Sequence, residues 1–181
     1  TERAEEIERR RPKKPRSILD VPTGGEGGKM LLSLELKSKL KWVSRLRSIM
    51  GRAGHASGMN DSKLDLLGEG DAFEIKEMVL ASGAHSTIKG HVRTWERMEQ
   101  WALDIGKLNS LFPPSAELVL SYALFLCKAS CGPSVLSSLR SSIKWMCRRL
   151  VMIAPDLEAP EFRAIEDKVI AERGSKLNSP A

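Results

Sequence analysis

Apolar residues recur three and four positions apart through most of the chain, and proline or glycine separates the stretches. Over 33–50, Leu36, Leu40, Val43, Leu46 and Ile49 share one side of a helix, with Lys37, Lys41 and Arg45 opposite, a pattern that suits docking on the core, a partner or a membrane surface. Gly51 to Gly70 reads as a linker, and Phe73 to Leu80 as a short helix that stops at Ser82-Gly83. Ser86 or Thr87 is expected to cap the next helix, which runs to about Ile105 and ends at Gly106. Its Ile88, Val92, Trp95, Ala102 and Gly106 fall in one stripe. Pro113-Pro114 with Glu117 opens a helix to about Ala129, whose run 118–126 is apolar nearly all round and predicts the buried centre. Gly132-Pro133-Ser134 opens another to about Ile153, with Val135, Leu139, Ile143, Met146 and Leu150 inward. Pro160 opens the last, which carries Phe162, Ile165 and Val169 on one face and ends at Gly174. No stretch combines strict alternation with β-branched enrichment, so no sheet is expected. The predicted fold class is all-α, a compact bundle of about four to five short helices behind a disordered basic N-terminal region.

Length and composition set the scale. The 181 residues suffice for one domain and a tail, and 41% apolar with 29% charged residues belongs to a soluble globular chain with a sizeable core. Of the four Trp, four Phe and one Tyr, only Trp42 precedes Phe73. The core domain is therefore expected at 73–174. Residues 1–72 would be tail and linker with one amphipathic helix near 33–50, and 175–181 a linker toward a further domain. Thr1 marks the chain as a fragment or a processed product, and nothing near it has the apolar core of a signal peptide. No window approaches the roughly 18 consecutive apolar residues of a membrane span. Cys127, Cys131 and Cys147 form an odd set without a framework spacing, which points to a reducing, intracellular compartment: the nucleus in a eukaryote, otherwise the cytoplasm. The run Thr23-Gly24-Gly25-Glu26-Gly27-Gly28-Lys29 is no phosphate loop, because Thr23 holds the first glycine position and Met30 that of Ser/Thr.

Charge adds a candidate partner. Lys+Arg number 29 against 23 Asp+Glu, a net +6. The block Arg9-Arg10-Arg11-Pro12-Lys13-Lys14-Pro15-Arg16 suits a nuclear-import signal, a loose nucleic-acid arm or a solvated tail. Lys89, Arg93 and Arg97 step by four residues along one helix, and Arg140, Lys144 and Arg148 do the same along another, where Ser137 and Ser141 share the outer face. Glu96, Glu99 and Asp104 accompany the first set, whereas no acid lies between Val135 and Ile153. Basic groups at every turn with small hydroxyls between them suit nucleic-acid phosphate. Trp95, Trp101 and Trp145 read as core residues, and so do the cysteines. Neither the cysteine spacing nor His55, His85 and His91 make a metal or catalytic arrangement, so no cofactor, metal or small-molecule substrate is expected.

Residues 86–173 resemble the N-terminal, core-binding domain of tyrosine recombinases, the phage-integrase family. The matching positions are Thr87, His91, Trp95 and Trp101 in one helix and Tyr122 with Leu126 in the next. Cys131-Gly132-Pro133-Ser134 leads to Leu139 and Ile143, and a polar exit follows at 174–179. His91 departs from the usual Tyr. The resemblance implies a SAM-like helical domain that forms half of a clamp on double-stranded DNA, with possible self-association there, in DNA recombination or integration by a mobile element. Lys89, Arg93, Arg97, Arg140, Lys144 and Arg148 would be its DNA-binding residues, on the two helices that cross the major groove in that family. Catalysis would belong to a separate C-terminal domain, so the chain itself is expected not to be an enzyme. Tyr122 sits in an apolar surface that suits a buried phenol, not a nucleophile. The alternative is a helical protein-interaction module with no nucleic-acid role. A membrane-surface peptide over 33–50 is a third possibility, whereas no membrane partner is expected.

Overall fold

The structure is a computed structural model that describes residues 25–55, 64 and 66–177. The basic block at 9–16, the residues 1–24 expected as tail, residues 56–63 and 65 of the central linker and 178–181 of the expected exit lie outside the described residues, and the last helix runs on through Leu177 past the expected stop at Gly174. The helices are α1 (Gly25–Arg52), α2 (Glu69–Leu80), α3 (His85–Asp104), α4 (Ala116–Lys128), α5 (Pro133–Arg149) and α6 (Pro160–Leu177), with a 3-10 turn at Leu108–Ser110. No strand occurs among the described residues, and the all-α class holds. The chain divides into two units, Thr1–Leu34 and Glu35–Ala181, the first holding the opening turns of α1 and the second the core.

The largest departure from the expected domain is α1. Its Trp42, Val43, Leu46, Ile49, Met50 and Ala53 belong to the same buried core as α3 to α6. The core domain thus begins well before residue 73: of the docking sites open to the amphipathic helix over 33–50 the core is the one taken, through Val43, Leu46 and Ile49, while Leu36 and Leu40 of its expected apolar side are exposed. The start of α1 at Gly25 also makes its glycines helical, the opposite of a phosphate-cradling loop.

Of the expected α3 stripe Ile88, Val92, Trp95 and Ala102 are buried, joined by Met98 and Trp101, while Gly106 lies exposed beyond the helix end. On α5 the buried side is Leu136, Leu139, Ile143, Met146 and Cys147, while Val135 is only partly covered. Phe162 and Val169 of α6 are buried against it, with Ile165 partly so. Helix α4 is not the buried centre that its all-apolar sequence suggests. Leu118, Val119, Tyr122, Ala123 and Cys127 face inward, but Leu124 and Phe125 are 41% and 48% exposed. One flank of α4 packs on α6 and the opposite flank meets solvent.

Helix ends show one recurring device. After α3, Gly106 takes φ +68, Lys107 N donates to Ala102 O (2.7 Å) and Gly106 N to Leu103 O (3.1 Å), a Schellman stop. Gly54 does the same after α1, where His55 N donates to Met50 O. After α4 and α5 the left-handed position falls to Ser130 (φ 57) and Val151 (φ 54). Helix α5 accordingly ends at Arg149, four residues short of the expected Ile153, with Met152 N donating to Cys147 O (2.8 Å). A β-branched residue in this region is strained by roughly 1–2 kcal/mol. The start of α3 carries no side-chain cap; Ala84 holds that place in the absence of the expected Ser86 or Thr87. Ser115, by contrast, caps α4 by accepting from Leu118 N.

Candidate nucleic-acid interface

Helices α3 and α5 pack against each other and run antiparallel. Residues just before α3 meet the end of α5, and the middle of α3 meets Ser142. The buried indole of Trp95 donates from Nε1 to Ser142 O (3.1 Å). One turn earlier, His91 Nδ1 shares a hydrogen bond with Ser142 Oγ (2.8 Å), and the imidazole stacks on Trp145 at 4.8 Å. Burial, with Arg149 nearby, holds the His91 pKa below the ordinary histidine range, so the ring favours its neutral form.

Outside that seam lies an open groove of about 320 Å³. Ser86, Thr87, Gly90 and Thr94 line one wall and Ser137, Ser138 and Ser141 the other, with His91 and Ser142 at its base. Spacing explains the lining: positions 87, 90, 91 and 94, and 134, 137, 138 and 141, are the i, i+3, i+4, i+7 sets of two helices. Hydroxyls can donate to and accept from an anion's oxygens, and Gly90 leaves the surface open. Two turns beyond Gly90 on the same face stands Arg97, and two turns beyond Ser141 stands Arg148; both are exposed. Because the helices are antiparallel, these arginines flank opposite ends of the groove. The sequence already showed hydroxyls at Ser137 and Ser141; Ser86, Thr94 and Ser138 could have been found by applying the same helical spacing to α3.

The six basic residues singled out from the sequence occupy two different environments. On α3, Lys89 is half-buried and Arg93 exposed, with their cationic heads 5.9 and 5.6 Å from the centre of the Trp42 ring. Among the described residues, neither these two nor Arg97 has a carboxylate within 4.0 Å. On α5, Arg140 binds Glu166 of α6, lies 3.8 Å from Glu158 and packs its guanidinium over Phe162. Lys144 Nζ donates to Glu158 Oε1 at 2.6 Å. These cations, with Arg163, hold the Glu158 carboxyl below the usual carboxylate range. The acid-free sequence of α5 is thus compensated from α6 and the turn before it.

Arg149, not singled out from the sequence, has a structural place. Its guanidinium lies 4.7 Å over Trp145 and donates to Val79 O and Ser82 Oγ, tying the end of α5 to the last turn of α2 and the loop after it. Gly83 in that loop takes φ +97, a conformation that strains other residues; a Cβ there would make only ordinary contact with Arg149 Nη2 at 3.6 Å.

Tyr122 is 4% exposed, and burial raises its pKa, which keeps the phenol protonated. Burial pushes the Cys147 thiol up to about 11. Among the described residues no group of three His, Cys, Asp or Glu side chains is placed to hold a metal ion, and no helix is long and apolar enough to cross a membrane. No family model, no curated protein and no solved structure matches the chain.

Proposed function

We propose that this chain binds double-stranded DNA through the α3–α5 face, in the manner that its resemblance to the core-binding domain of tyrosine recombinases implies. The observation that carries this reading is the hydroxyl-lined groove between the two basic helices, flanked by Arg97 and Arg148 with Lys89 and Arg93 nearby. Serine and threonine hydroxyls and cationic heads are the groups that protein surfaces use on phosphate and sugar. Lys89, Arg93, Arg97 and Arg148 would contact phosphates without breaking an internal ion pair. Arg140 and Lys144 would join only by exchanging Glu158 and Glu166 for phosphate. No base-edge contact is needed for binding, and the mode is sequence-tolerant. No step of DNA cleavage or joining is assigned to these residues; the buried, protonated Tyr122 is unsuited to act as a nucleophile. The parent process would be recombination or integration of a mobile element.

Charge reversal of Lys89, Arg93 and Arg97 together, assayed by fluorescence anisotropy on a duplex, is the test. Binding is expected to fall to background while the far-ultraviolet circular dichroism stays that of the starting chain. Unchanged affinity would refute this face as the DNA surface. A protein-interaction module is the second reading, favoured by the exposed Leu124 and Phe125 on α4. Phe125→Asp would abolish partner capture on that reading and leave duplex affinity untouched on the first.

A further inference from the structure

Helix α1 is the basic element that the DNA reading does not yet use. It runs alongside α3 in the same direction, and three contacts advance in step along the pair. Ser38 Oγ shares a hydrogen bond with His85 Nε2 (2.6 Å), Arg45 Nε donates to Glu96 Oε1 (2.6 Å), and Arg52 grips Glu99 through two nitrogens (2.5 and 3.0 Å). Charge changes character along this pair. Toward the C-terminal ends every cation of α1 that reaches α3 meets a carboxylate.

Toward the N-terminal ends the carboxylates run out. Lys37, Lys41 and Arg45 step by four residues along α1, and Arg45 reaches α3 at Glu96. Alongside, α3 offers Lys89 and Arg93 with no acid between His85 and Glu96. Glu35, the nearest acid on α1, pairs with Lys39 at 3.2 Å. Among the described residues, Lys37, Lys41, Lys89 and Arg93 have no carboxylate within 4.0 Å. At the centre, the Trp42 indole, 6% exposed, carries three cationic heads around its ring: Arg45 at 4.5 Å, Arg93 at 5.6 Å and Lys89 at 5.9 Å. The ring's quadrupole offsets part of the mutual repulsion of these cations. It holds them together without neutralising them; among the described residues, Glu96 pairs with Arg45 alone of the three.

We infer that this α1–α3 flank, with Lys89 and Arg93 at Trp42 and with Lys41 and Lys37 one and two turns before Arg45, is a second phosphate-contacting surface that carries the DNA backbone past the α3–α5 groove. The inference rests on the DNA reading and adds a third helix to it. A polyanion fits the chemistry better than a compact anion does, because cations set one turn apart, about 6 Å along the axis, match a ligand whose charge repeats. A lipid surface fits less well. Leu36 and Leu40 are exposed beside the lysines, but the apolar residues of α1 from Trp42 to Ala53 are committed to the core, as are Ile88 and Val92 beside Lys89 and Arg93, so the α3 half of this flank has no apolar face to insert.

The test is the variant Lys37→Glu/Lys41→Glu, measured against a 25-base-pair duplex and against vesicles of mixed phosphatidylserine and phosphatidylcholine. Both lysines are exposed and outside the core, so the circular dichroism and thermal midpoint should be unchanged. Duplex affinity is expected to fall about tenfold, and the salt dependence to lose about one to two units of slope. Duplex affinity and slope equal to the unmodified chain would overturn the inference while leaving the α3–α5 face intact. Failure of the unmodified chain to bind the duplex would overturn both readings. Vesicle binding that depends on Lys37 and Lys41, without duplex binding, would assign the flank to an anionic lipid surface and overturn it as well.

Discussion

Two helices of this protein carry the same basic spacing and put it to different use. On α3, Lys89 and Arg93 lean toward an indole and leave their charge uncompensated, whereas on α5 Arg140 and Lys144 close onto carboxylates from Glu158 and Glu166. The difference does not arise within either helix. The sequence of α3 contains acids and that of α5 contains none, yet Glu96 and Glu99 turn to Arg45 and Arg52 of α1 while α6 brings acids to α5. What a basic face can bind is decided by the charge on the element packed beside it.

The largest effect expected from this contrast is on stability. Arg140 is partly buried, so Arg140→Ala strands the Glu166 carboxylate and exposes Phe162; urea unfolding should show a loss of about 2 kcal/mol. Lys89→Ala should remain within about 0.5 kcal/mol of the starting chain, and a comparable loss there would erase the distinction between the two flanks. Next comes duplex affinity. Neutralising Lys89 and Arg93 together should weaken binding about tenfold and lower the salt slope by about two, against less than about threefold for Arg140 and Lys144. A smaller effect in the opposite direction should follow from Glu158→Gln. It releases Lys144 and loosens Arg140, so duplex affinity should rise a few-fold in the same titration.

The smallest effect concerns the seam between the helices. Folding lowers the His91 pKa, so the unfolded chain takes up the proton first. The stability this contributes is present above the ordinary histidine pKa of about 6.5 and is lost as pH falls below it. His91→Gln should flatten that part of the stability–pH curve measured by thermal unfolding; an unchanged slope would show that the neutral ring is not what the seam requires.

Much of the fold was legible because two signals coincide. Apolar spacing gave the inward faces of α3, α5 and α6, and Gly106 and Pro160 marked a helix stop and a start where the backbone needs them. Three features escaped for physical reasons. Scarcity of aromatics before Phe73 says nothing about the aliphatic Val43, Leu46 and Ile49, which are fully buried. The end of α5 falls at Val151, a residue that favours extended backbone and gives no warning of a left-handed turn. Helix α4 looks central because nearly every residue in it is apolar, but apolarity does not tell which side a neighbour will cover. The basic steps of the interface were readable one helix at a time. Their compensation was not, since the pairs of Arg140 with Glu166 and Arg45 with Glu96 join residues far apart in the sequence.

Salt dependence of duplex binding tests the central claim most directly. Titrating the chain into a labelled 25-base-pair duplex at a series of sodium chloride concentrations gives the slope of log affinity against log salt. With Lys89, Arg93, Arg97 and Arg148 neutralising phosphates, the expected slope is about −4, and steeper if Lys37 and Lys41 take part. Absence of duplex binding, or affinity that does not change with salt, would contradict it.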